Sequence, residues 1–212
     1  MILSPFIPWP ENQTLILASR SPRRAELLAV AGIPFEIILP GDVEQDLAAR
    51  LAADRTHPVR YVELLANAKA ADVARQHPGR LVLGADTVVV LDDEILEKPT
   101  DSNDAVRLLT KLSGCRHTVV SAVALVGGPA GLGLAAHEKT EVEFLPLDHQ
   151  AITRYVATGE PMDKAGAYGI QGYGAMMVRG VNGCYFNVMG LPLARLGALL
   201  RQVLPAPTGD DS

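Results

Sequence analysis

The chain has few cysteines, few aromatic residues and no long apolar run, and each shortage narrows what it can do. Only Cys115 and Cys184 occur among 212 residues, and their separation matches no metal-binding motif, so we expect two reduced thiols. Hydrophobic residues make up 48% of the chain but aromatic ones only 5%, which predicts an aliphatic core. No stretch reaches the roughly 18 apolar residues of a membrane helix, and prolines interrupt the N-terminus, which does not resemble a secretory signal. We therefore expect a cytoplasmic protein without a membrane partner.

A surplus of positive charge is also lacking. The chain carries 19 Lys and Arg residues against 24 Asp and Glu, a formal net charge of −5. Binding to nucleic acid through its phosphates needs a basic surface, so we expect no nucleic-acid partner. The sequence contains no P-loop, no His-Glu-x-x-His and no Cys-x-x-Cys motif. These absences argue against P-loop nucleotide hydrolysis and against the commonest zinc chemistry.

What is present is an alternation of strand-like and helix-like segments. Apolar runs predict strands over residues 14–18, 35–39, 81–91, 117–126 and 136–146, with amphipathic helices between and after them. Parallel-type and hairpin connections both occur, which predicts one α/β domain with a mixed sheet and a cleft between two lobes. We expect this domain to span residues 13–204, between an N-terminal extension (1–12) and a flexible tail (205–212), both poorly ordered.

The segment ASRSPRR, residues 18–24, concentrates positive charge where a strand leads into a helix. If Ser21 is the N-cap and Pro22 the first helical residue, Arg23 and Arg24 fall in the first turn. Cations there oppose the helix dipole, at a cost of roughly 0.3–1 kcal/mol each. Two interpretations stay open: the arginines lie in solvent, or guanidinium groups, a serine hydroxyl and helix amides converge on a phosphate.

Asp86 interrupts an aliphatic strand, LVLGADTVVVL. A buried carboxylate is costly unless it is paired or binds a metal, although a strand-end aspartate satisfied by a turn would be unremarkable. A two-residue turn after this strand places Thr87 opposite Lys98, and a three-residue turn places Val88 there. Either register leaves Lys98 about 5–8 Å from the Asp86–Thr87 pair. A metal-bound phosphate and a structural ion pair both fit.

Other polar residues are less informative by themselves. Glu44 lies in the acidic segment GDVEQD, where a solvated face is the ordinary interpretation, and Lys69 has the pattern of a surface lysine on a helix. The segment DKAGAYGIQGYG has four glycines that permit close backbone approach to a ligand, and Gln171 lies among them. Such a segment is also found as a plain turn.

Taken together, these segments resemble the Maf family of nucleotide pyrophosphatases. The resemblance covers residues 14 to about 202 and rests on four motifs in the family's order: LILASRSPRRAELL, LGADTVVVLDDEILEKP, YGIQGYGA and NVMGLPL. It implies an α/β fold related to inosine triphosphate pyrophosphatases, with the active site between two lobes. It also implies hydrolysis of a nucleoside triphosphate to monophosphate and diphosphate, with Mg²⁺ or Mn²⁺ as cofactor.

The resemblance also implies roles for single residues. Asp86 matches the family's proton acceptor, and Glu44 with Asp86 matches the metal-binding acids. The positions that match triphosphate contacts are Ser19, Lys69 and Lys98, with Arg24 beside them. The positions tied to base choice are Arg23, Thr87 and Gln171. Arg, Thr and Gln at these positions are similar to the thymidine and uridine triphosphate pyrophosphatases, whereas Trp, Gln and Glu accompany 7-methylguanosine triphosphate.

The sequence departs from the family pattern in two loops. Met162 replaces a usual glycine, and VVSA stands where a VxTG-like sequence is common. Three alternatives stay open: a relative acting on 7-methylguanosine triphosphate or on CTP and UTP, a non-catalytic nucleotide sensor of cell division, and a nucleic-acid-binding module. The resemblance further implies a house-cleaning role linked to cell-division arrest. The expected partner is a small nucleoside triphosphate, and a homodimer is the candidate assembly.

Overall fold

The computed structural model describes residues 3–10, 13–43, 47, 51, 57–128 and 131–204. The strands are β1 (Leu15–Ala18), β2 (Phe35–Ile37), β3 (Leu81–Leu91), β4 (Glu94–Leu96), β5 (Arg116–Gly127), β6 (Leu132–Phe144) and β7 (Val178–Asn182). The helices are α1 (Pro22–Val30), α2 (Pro58–Gln76), α3 (Ser102–Leu112), α4 (His149–Ala157), α5 (Tyr185–Val188) and α6 (Leu193–Val203). Three 3₁₀ segments follow α4: Glu160–Asp163, Ala165–Ala167 and Gly172–Met177.

The strands form one mixed sheet in the order β2-β1-β3-β5-β6-β7, with β4 paired to β3. β1 is parallel to both β2 and β3, and the remaining pairs are antiparallel. The predicted α/β domain with a mixed sheet is confirmed. Three predicted bounds are wrong by two residues or more: β2 ends at Ile37, β6 ends at Phe144, and β6 begins at Leu132 because it pairs with β5 as far as Gly127.

The edge of β3 that faces β1 is shared between two strands, and this arrangement creates a gap. Residues 82–84 pair with β1, and residues 89–91 pair with β4. Between them, residues 85–88 have no strand on that edge in the part of the chain that the structure describes. Because β1 is parallel and β4 antiparallel to β3, the carboxyl ends of both strands point into the gap. The segments that follow β1 and β4 therefore converge beside Asp86.

Helices cover both faces of the sheet. α2 lies on one face, where Val62 and Ala66 pack with Ile16, Val82 and other alternate strand residues. The opposite face carries α1 and α6 at one end and α3 and α4 at the other, over separate apolar clusters. The two clusters on this face flank the gap in β3.

Local sequence signals set the ends of several elements. Asp92 and Asp93 have φ values of 48° and 65°, and Leu91 pairs with Glu94, so the hairpin turn has two residues. The Asp101 carboxylate accepts from Asp104 N at 2.9 Å and begins α3. The Asp148 carboxylate begins α4 in the same way.

The two ends of the chain differ in what the structure describes. Part of the predicted N-terminal extension packs against the main core, because Ile7 is buried in the α1–α6 cluster and Ser4 N donates to Gly32 O at 2.9 Å. The expectation of a poorly ordered N-terminus is wrong for these residues. The predicted tail, 205–212, lies outside the described residues. Both cysteines are free thiols, and none of the described helices is long and apolar enough to cross a membrane.

Candidate active site

A cavity of about 610 Å³ lies at the gap in β3. This volume is in the range of small-molecule sites. Its wall includes eight of the nine residues that the sequence analysis selected: Ser19, Arg23, Arg24, Lys69, Asp86, Thr87, Lys98 and Gln171. The ninth, Glu44, lies outside the described residues. The structure thus brings together residues from five separate stretches of the chain.

Asp86 and Lys69 form an ion pair on the α2 side of the sheet. Lys69 Nζ lies 2.5 Å from Asp86 Oδ1, and the lysine is only 5% exposed. The interpretation of Lys69 as a surface lysine is therefore wrong, as is that of Asp86 as a strand-end residue satisfied by a turn. Lys98 was the cation predicted to lie near Asp86, and the direct partner Lys69 was not predicted. A carboxylate removed from water needs such a partner.

Gly84 makes this ion pair geometrically feasible. A Cβ at position 84 would collide with the carbonyl oxygen of Ala66 and lie 2.9 Å from Ala70 N. Only glycine lets the backbone of α2 approach β3 this closely. Lys69 lies on the turn of α2 that packs against Gly84, and Gly84 comes two residues before Asp86 in β3. The long side chain of Lys69 reaches the Asp86 carboxylate from there.

Lys98 reaches the cavity from the end of β4. Its side chain is exposed and has no hydrogen bond or ion pair with the described residues. The two-residue turn predicts Thr87 opposite Lys98, but the ladder ends at Leu96, so that pair is not part of the sheet. The carbonyl of Glu97 instead accepts from Gly166 N at 3.0 Å, which ties this segment to the glycine-rich loop. Lys98 is therefore positioned to meet an anion in the cavity.

Arg24 joins three segments of the cavity wall. Its guanidinium donates to Gly190 O at 2.9 Å, to Ser19 Oγ at 2.9 Å and to Thr87 Oγ1 at 3.3 Å. The interpretation of the paired arginines as solvent-facing is wrong for this residue. Its position in the first turn of α1 has a structural reason, because it fixes the loop after β1 against the middle of β3.

Arg23 reaches across the cavity to the first 3₁₀ segment, Glu160–Asp163. Its Nη1 lies 3.4 Å from Asp163 Oδ2, and Lys164 Nζ lies 2.6 Å from Asp163 Oδ1. Burial raises the pKa of the Asp163 carboxyl, but the hydrogen bond from Lys164 and the charges of Arg23 and Lys164 outweigh it, so the net shift is downward. Asp163 therefore stays ionised and holds both cations at the rim.

A buried polar network lies behind Thr87, and the sequence analysis missed it. Thr87 Oγ1 and Ser121 Oγ are 2.8 Å apart, and Ser121 Oγ donates to Asn187 O at 2.8 Å. The fully buried amide of Asn187 accepts from Ser121 N and donates to Val119 O and Thr140 Oγ1. The only sequence signal was an amide residue in the motif NVMGLPL.

The described wall of the cavity is more basic than the chain as a whole. It carries six cationic side chains, Arg20, Arg23, Arg24, Lys69, Lys98 and Lys164. It carries four acidic ones, Glu26, Asp42, Asp86 and Asp163. In a chain of net charge −5, this local excess of cations favours an anionic ligand. In the described part of the chain, no three His, Cys, Asp or Glu side chains come together as a metal cage.

Comparison with known proteins shows the family of the chain. A family model described as Maf-like protein matches residues 14–203. The chain belongs to the Maf-like protein family. A dTTP/UTP pyrophosphatase of Symbiobacterium thermophilum is 50% identical over 190 residues, covering 90% of this chain and 94% of the relative. A dTTP/UTP pyrophosphatase of Moorella thermoacetica is 50% identical over 186 residues, covering 88% and 93%.

A third relative is similar over nearly the same length of the chain. The dTTP/UTP pyrophosphatase of Nitratidesulfovibrio vulgaris is 48% identical over 193 residues, covering 91% of this chain and 89% of its own length. In this Maf-like chain the matched region, 14–203, contains the whole sheet and every described residue of the cavity wall. The family assignment and the cavity thus concern the same part of the molecule.

Proposed function

We propose that the chain hydrolyses dTTP and UTP to the nucleoside monophosphate and diphosphate. The observation that carries the proposal is the meeting of Asp86, Lys69 and Lys98 with the ASRSPRR segment in one cavity. A carboxylate, two lysines and a helix N-terminus are the groups that phosphoanhydride hydrolysis uses for positioning and charge neutralisation. The names of the relatives, at 48–50% identity over most of the chain, support the same activity.

The triphosphate would lie between the start of α1 and Lys98. The first-turn amides of a helix have no partner within the helix, and they attract anions together with the helix dipole. Arg23 and Lys98 add positive charge on either side. Arg24 acts differently, because its hydrogen bonds to Ser19, Thr87 and Gly190 hold the walls in place.

Asp86 is the candidate proton acceptor. Lys69 binds Oδ1 and so orients the carboxylate, while Oδ2 has no hydrogen bond with the described residues. In the proposed step a water oxygen attacks the α-phosphorus, the bond from that phosphorus to the α–β bridging oxygen breaks, and diphosphate leaves. Asp86 takes the water's proton and later releases it to solvent. Lys98 stabilises the charge that develops on the leaving diphosphate.

We also propose Mg²⁺ or Mn²⁺ as cofactor. The Asp86 carboxylate suits such a cation, because hard divalent ions prefer oxygen ligands and are commonly bound through one or two carboxylates plus substrate phosphates. Asp86 would hold the cation together with Glu44, the second acid that the family resemblance assigns. A bound divalent cation neutralises charge on the phosphate oxygens.

Gln171 is the candidate reader of the base. Its side chain is exposed on the cavity wall and has no hydrogen bond with the described residues. Its amide offers one donor group and one acceptor, which suits the adjacent carbonyl and N–H of uracil and thymine. Cytosine presents the opposite order, an amino donor beside a ring-nitrogen acceptor, so an amide held in one orientation leaves polar groups unpaired, at a cost of roughly 1–3 kcal/mol each. We therefore expect UTP to exceed CTP by about tenfold or more in kcat/KM.

The test is diphosphate release from dTTP, UTP, CTP and 7-methylguanosine triphosphate with Mg²⁺, with Mn²⁺ and with excess chelator. The proposal predicts turnover of dTTP and UTP first, loss of turnover in chelator and recovery on adding metal. A first preference for CTP or 7-methylguanosine triphosphate would assign the chain to another substrate. Nucleotide binding without diphosphate release would indicate a sensor, and full activity in chelator would remove the metal.

A further inference from the structure

Glu160 and Tyr155 fasten the glycine-rich loop on both sides of Gln171. Glu160 Oε2 accepts from Tyr173 N at 3.0 Å, and Oε1 accepts from Gly174 N at 3.1 Å. The Tyr155 hydroxyl donates to Glu160 Oε1 at 2.9 Å and accepts from Gly169 N at 3.2 Å. The backbone is therefore held two residues before Gln171 and again two and three residues after it.

The glycine-rich loop packs closely against the Glu160 carboxylate. Gly172 has a φ of +68°, and a Cβ there would lie 2.5 Å from Glu160 Oε2. A Cβ on Gly174 would lie 2.9 Å from the Tyr155 hydroxyl and collide with the Gly169 carbonyl. Two of the loop's glycines thus permit its close contact with Glu160 and Tyr155.

Neither anchoring residue belongs to the cavity wall. Tyr155 is buried in the α3–α4 cluster, and Glu160 is half-buried behind the loop. The backbone of Glu160 is itself fixed, because Lys164 Nζ donates to its carbonyl at 2.5 Å. Both side chains can affect a ligand only through the loop that they hold.

We propose that Glu160 and Tyr155 are positioning residues that determine base selectivity by fixing Gln171. This inference rests on the proposed function, in which Gln171 contacts the base. A flat amide must present its donor and acceptor in the right order and plane, so a loop that shifts by about 1 Å loses discrimination. The groups proposed to bind phosphate lie on other elements, and the Lys98 segment meets the loop at Gly166, three residues before the first anchored position.

Two substitutions separate the anchors. Glu160→Gln retains one oxygen acceptor but places an NH₂ group opposite a backbone N–H that needs an acceptor, so at least one anchor is lost. Tyr155→Phe removes the link between Glu160 and Gly169. Tyr173→Phe is the matched control, since it deletes the hydroxyl of an exposed side chain two residues after Gln171 and leaves the backbone anchor intact.

The experiment measures the dissociation constants of the non-hydrolysable α,β-imido analogues of UTP and CTP, for each variant with and without Gln171→Ala. We expect Glu160→Gln and Tyr155→Phe each to lower the UTP-over-CTP binding ratio about tenfold. The ratio of each variant should then lie within about twofold of the ratio measured for Gln171→Ala. Neither should lower it further in the Gln171→Ala background, and Tyr173→Phe should retain the wild-type ratio. Thermal unfolding of each variant confirms that it is folded.

The outcomes separate the two proposals. Any of three results would overturn the positioning role. The first is an unchanged UTP-over-CTP binding ratio in both anchor variants, and the second is an equal fall of that ratio in the Gln171→Ala background. The third is a wild-type protein that binds both analogues equally. Diphosphate release from UTP is measured in parallel on the wild type. Its absence would reject the hydrolase proposal while the binding ratios still decide the role of Glu160 and Tyr155.

Discussion

Lys69 Nζ lies 2.5 Å from Asp86 Oδ1, and this ion pair connects α2 to the strand on which the proposed chemistry takes place. Removing one member of a buried pair leaves the other charge without compensation, which costs more than the pair itself contributes. From the sequence alone, an amide at position 86 should be easier to bury than a carboxylate. The ion pair changes that expectation, because Asp86→Asn leaves the lysine's charge uncompensated and should lower stability.

Gly84→Ala should disturb the ion pair without removing either partner. The added methyl collides with the backbone of α2, so the helix must move away from β3. Overpacking of this kind costs about 1–3 kcal/mol, and we expect reduced kcat as Lys69 shifts from Asp86. Gly133→Ala is the control, since a Cβ there meets nothing within 4 Å. Urea unfolding and diphosphate release measure both effects, and equal behaviour of the two variants would exclude the proposed close approach.

Asn187→Ala should be among the most destabilising substitutions of a polar residue. It leaves Ser121 N and Val119 O without their amide partner in a fully buried site. Unpaired buried groups of this kind cost roughly 1–3 kcal/mol each, so we expect a loss of about 2–4 kcal/mol in the free energy of unfolding. Asn103→Ala, on the exposed side of α3, should change it by about 0.5 kcal/mol or less. A loss for Asn187→Ala as small as that of Asn103→Ala would show that the network is not needed.

Arg24→Lys should impair the site although the charge is retained. One ammonium group cannot reproduce a planar fork that donates to Ser19, Thr87 and Gly190 at once. We expect kcat/KM for dTTP to fall about 10- to 100-fold, the scale expected when a site is misplaced by about 1 Å. Arg201→Lys on the exposed side of α6 should have no effect. Wild-type kcat/KM in Arg24→Lys would mean that only its charge matters.

The stability of the protein should decrease in acid through His117. Burial lowers the pKa of this histidine from 6.5 to about 4, and its Nε2 lies 2.8 Å from the Tyr168 hydroxyl. His117 is therefore protonated below about pH 6.5 in the unfolded state, but only below about pH 4 in the folded state. Stability is complete above pH 6.5 and falls by about 3 kcal/mol as the pH decreases to 4.

Urea unfolding between pH 7.5 and 4.5 measures this slope. His117→Gln should remove most of it, because glutamine does not titrate. Asp104 and Asp163 have pKa values below their ordinary 3.8, so their contributions to stability are lost only at lower pH. An equal slope in wild type and His117→Gln would contradict the burial of a neutral imidazole.

Local sequence signals predicted most helices and strands, because the residues that begin and end these elements act on their immediate neighbours in the chain. Pro22 begins a helix as predicted, and the Asp92–Asp93 turn has the two-residue geometry of one of the two predicted registers. The early start of β6 was not predictable, since pairing with β5 overrides the glycines at its beginning.

The sequence allowed eight residues of the cavity wall to be selected, but not the contacts that they make with one another. The motifs contain Asp86 and Arg24, and the family resemblance added Lys69, yet the pairing of Asp86 with Lys69 depends on how closely α2 approaches Gly84 in space. The anchoring role of Glu160 depends likewise on tertiary folding of a loop over a carboxylate. Contacts between distant segments are set by packing, which a single sequence does not display.

The most direct test of the account is the kcat of diphosphate release from dTTP by Asp86→Asn. Thermal unfolding first defines a temperature at which this variant is folded, because the ion pair with Lys69 predicts a lower Tm. Asp93→Asn, an equal loss of charge in the exposed turn of the same hairpin, is the control. The account predicts a fall of at least about 100-fold in kcat for Asp86→Asn, the scale of a lost general base, and wild-type kcat for Asp93→Asn. A folded Asp86→Asn protein with near wild-type kcat would contradict it.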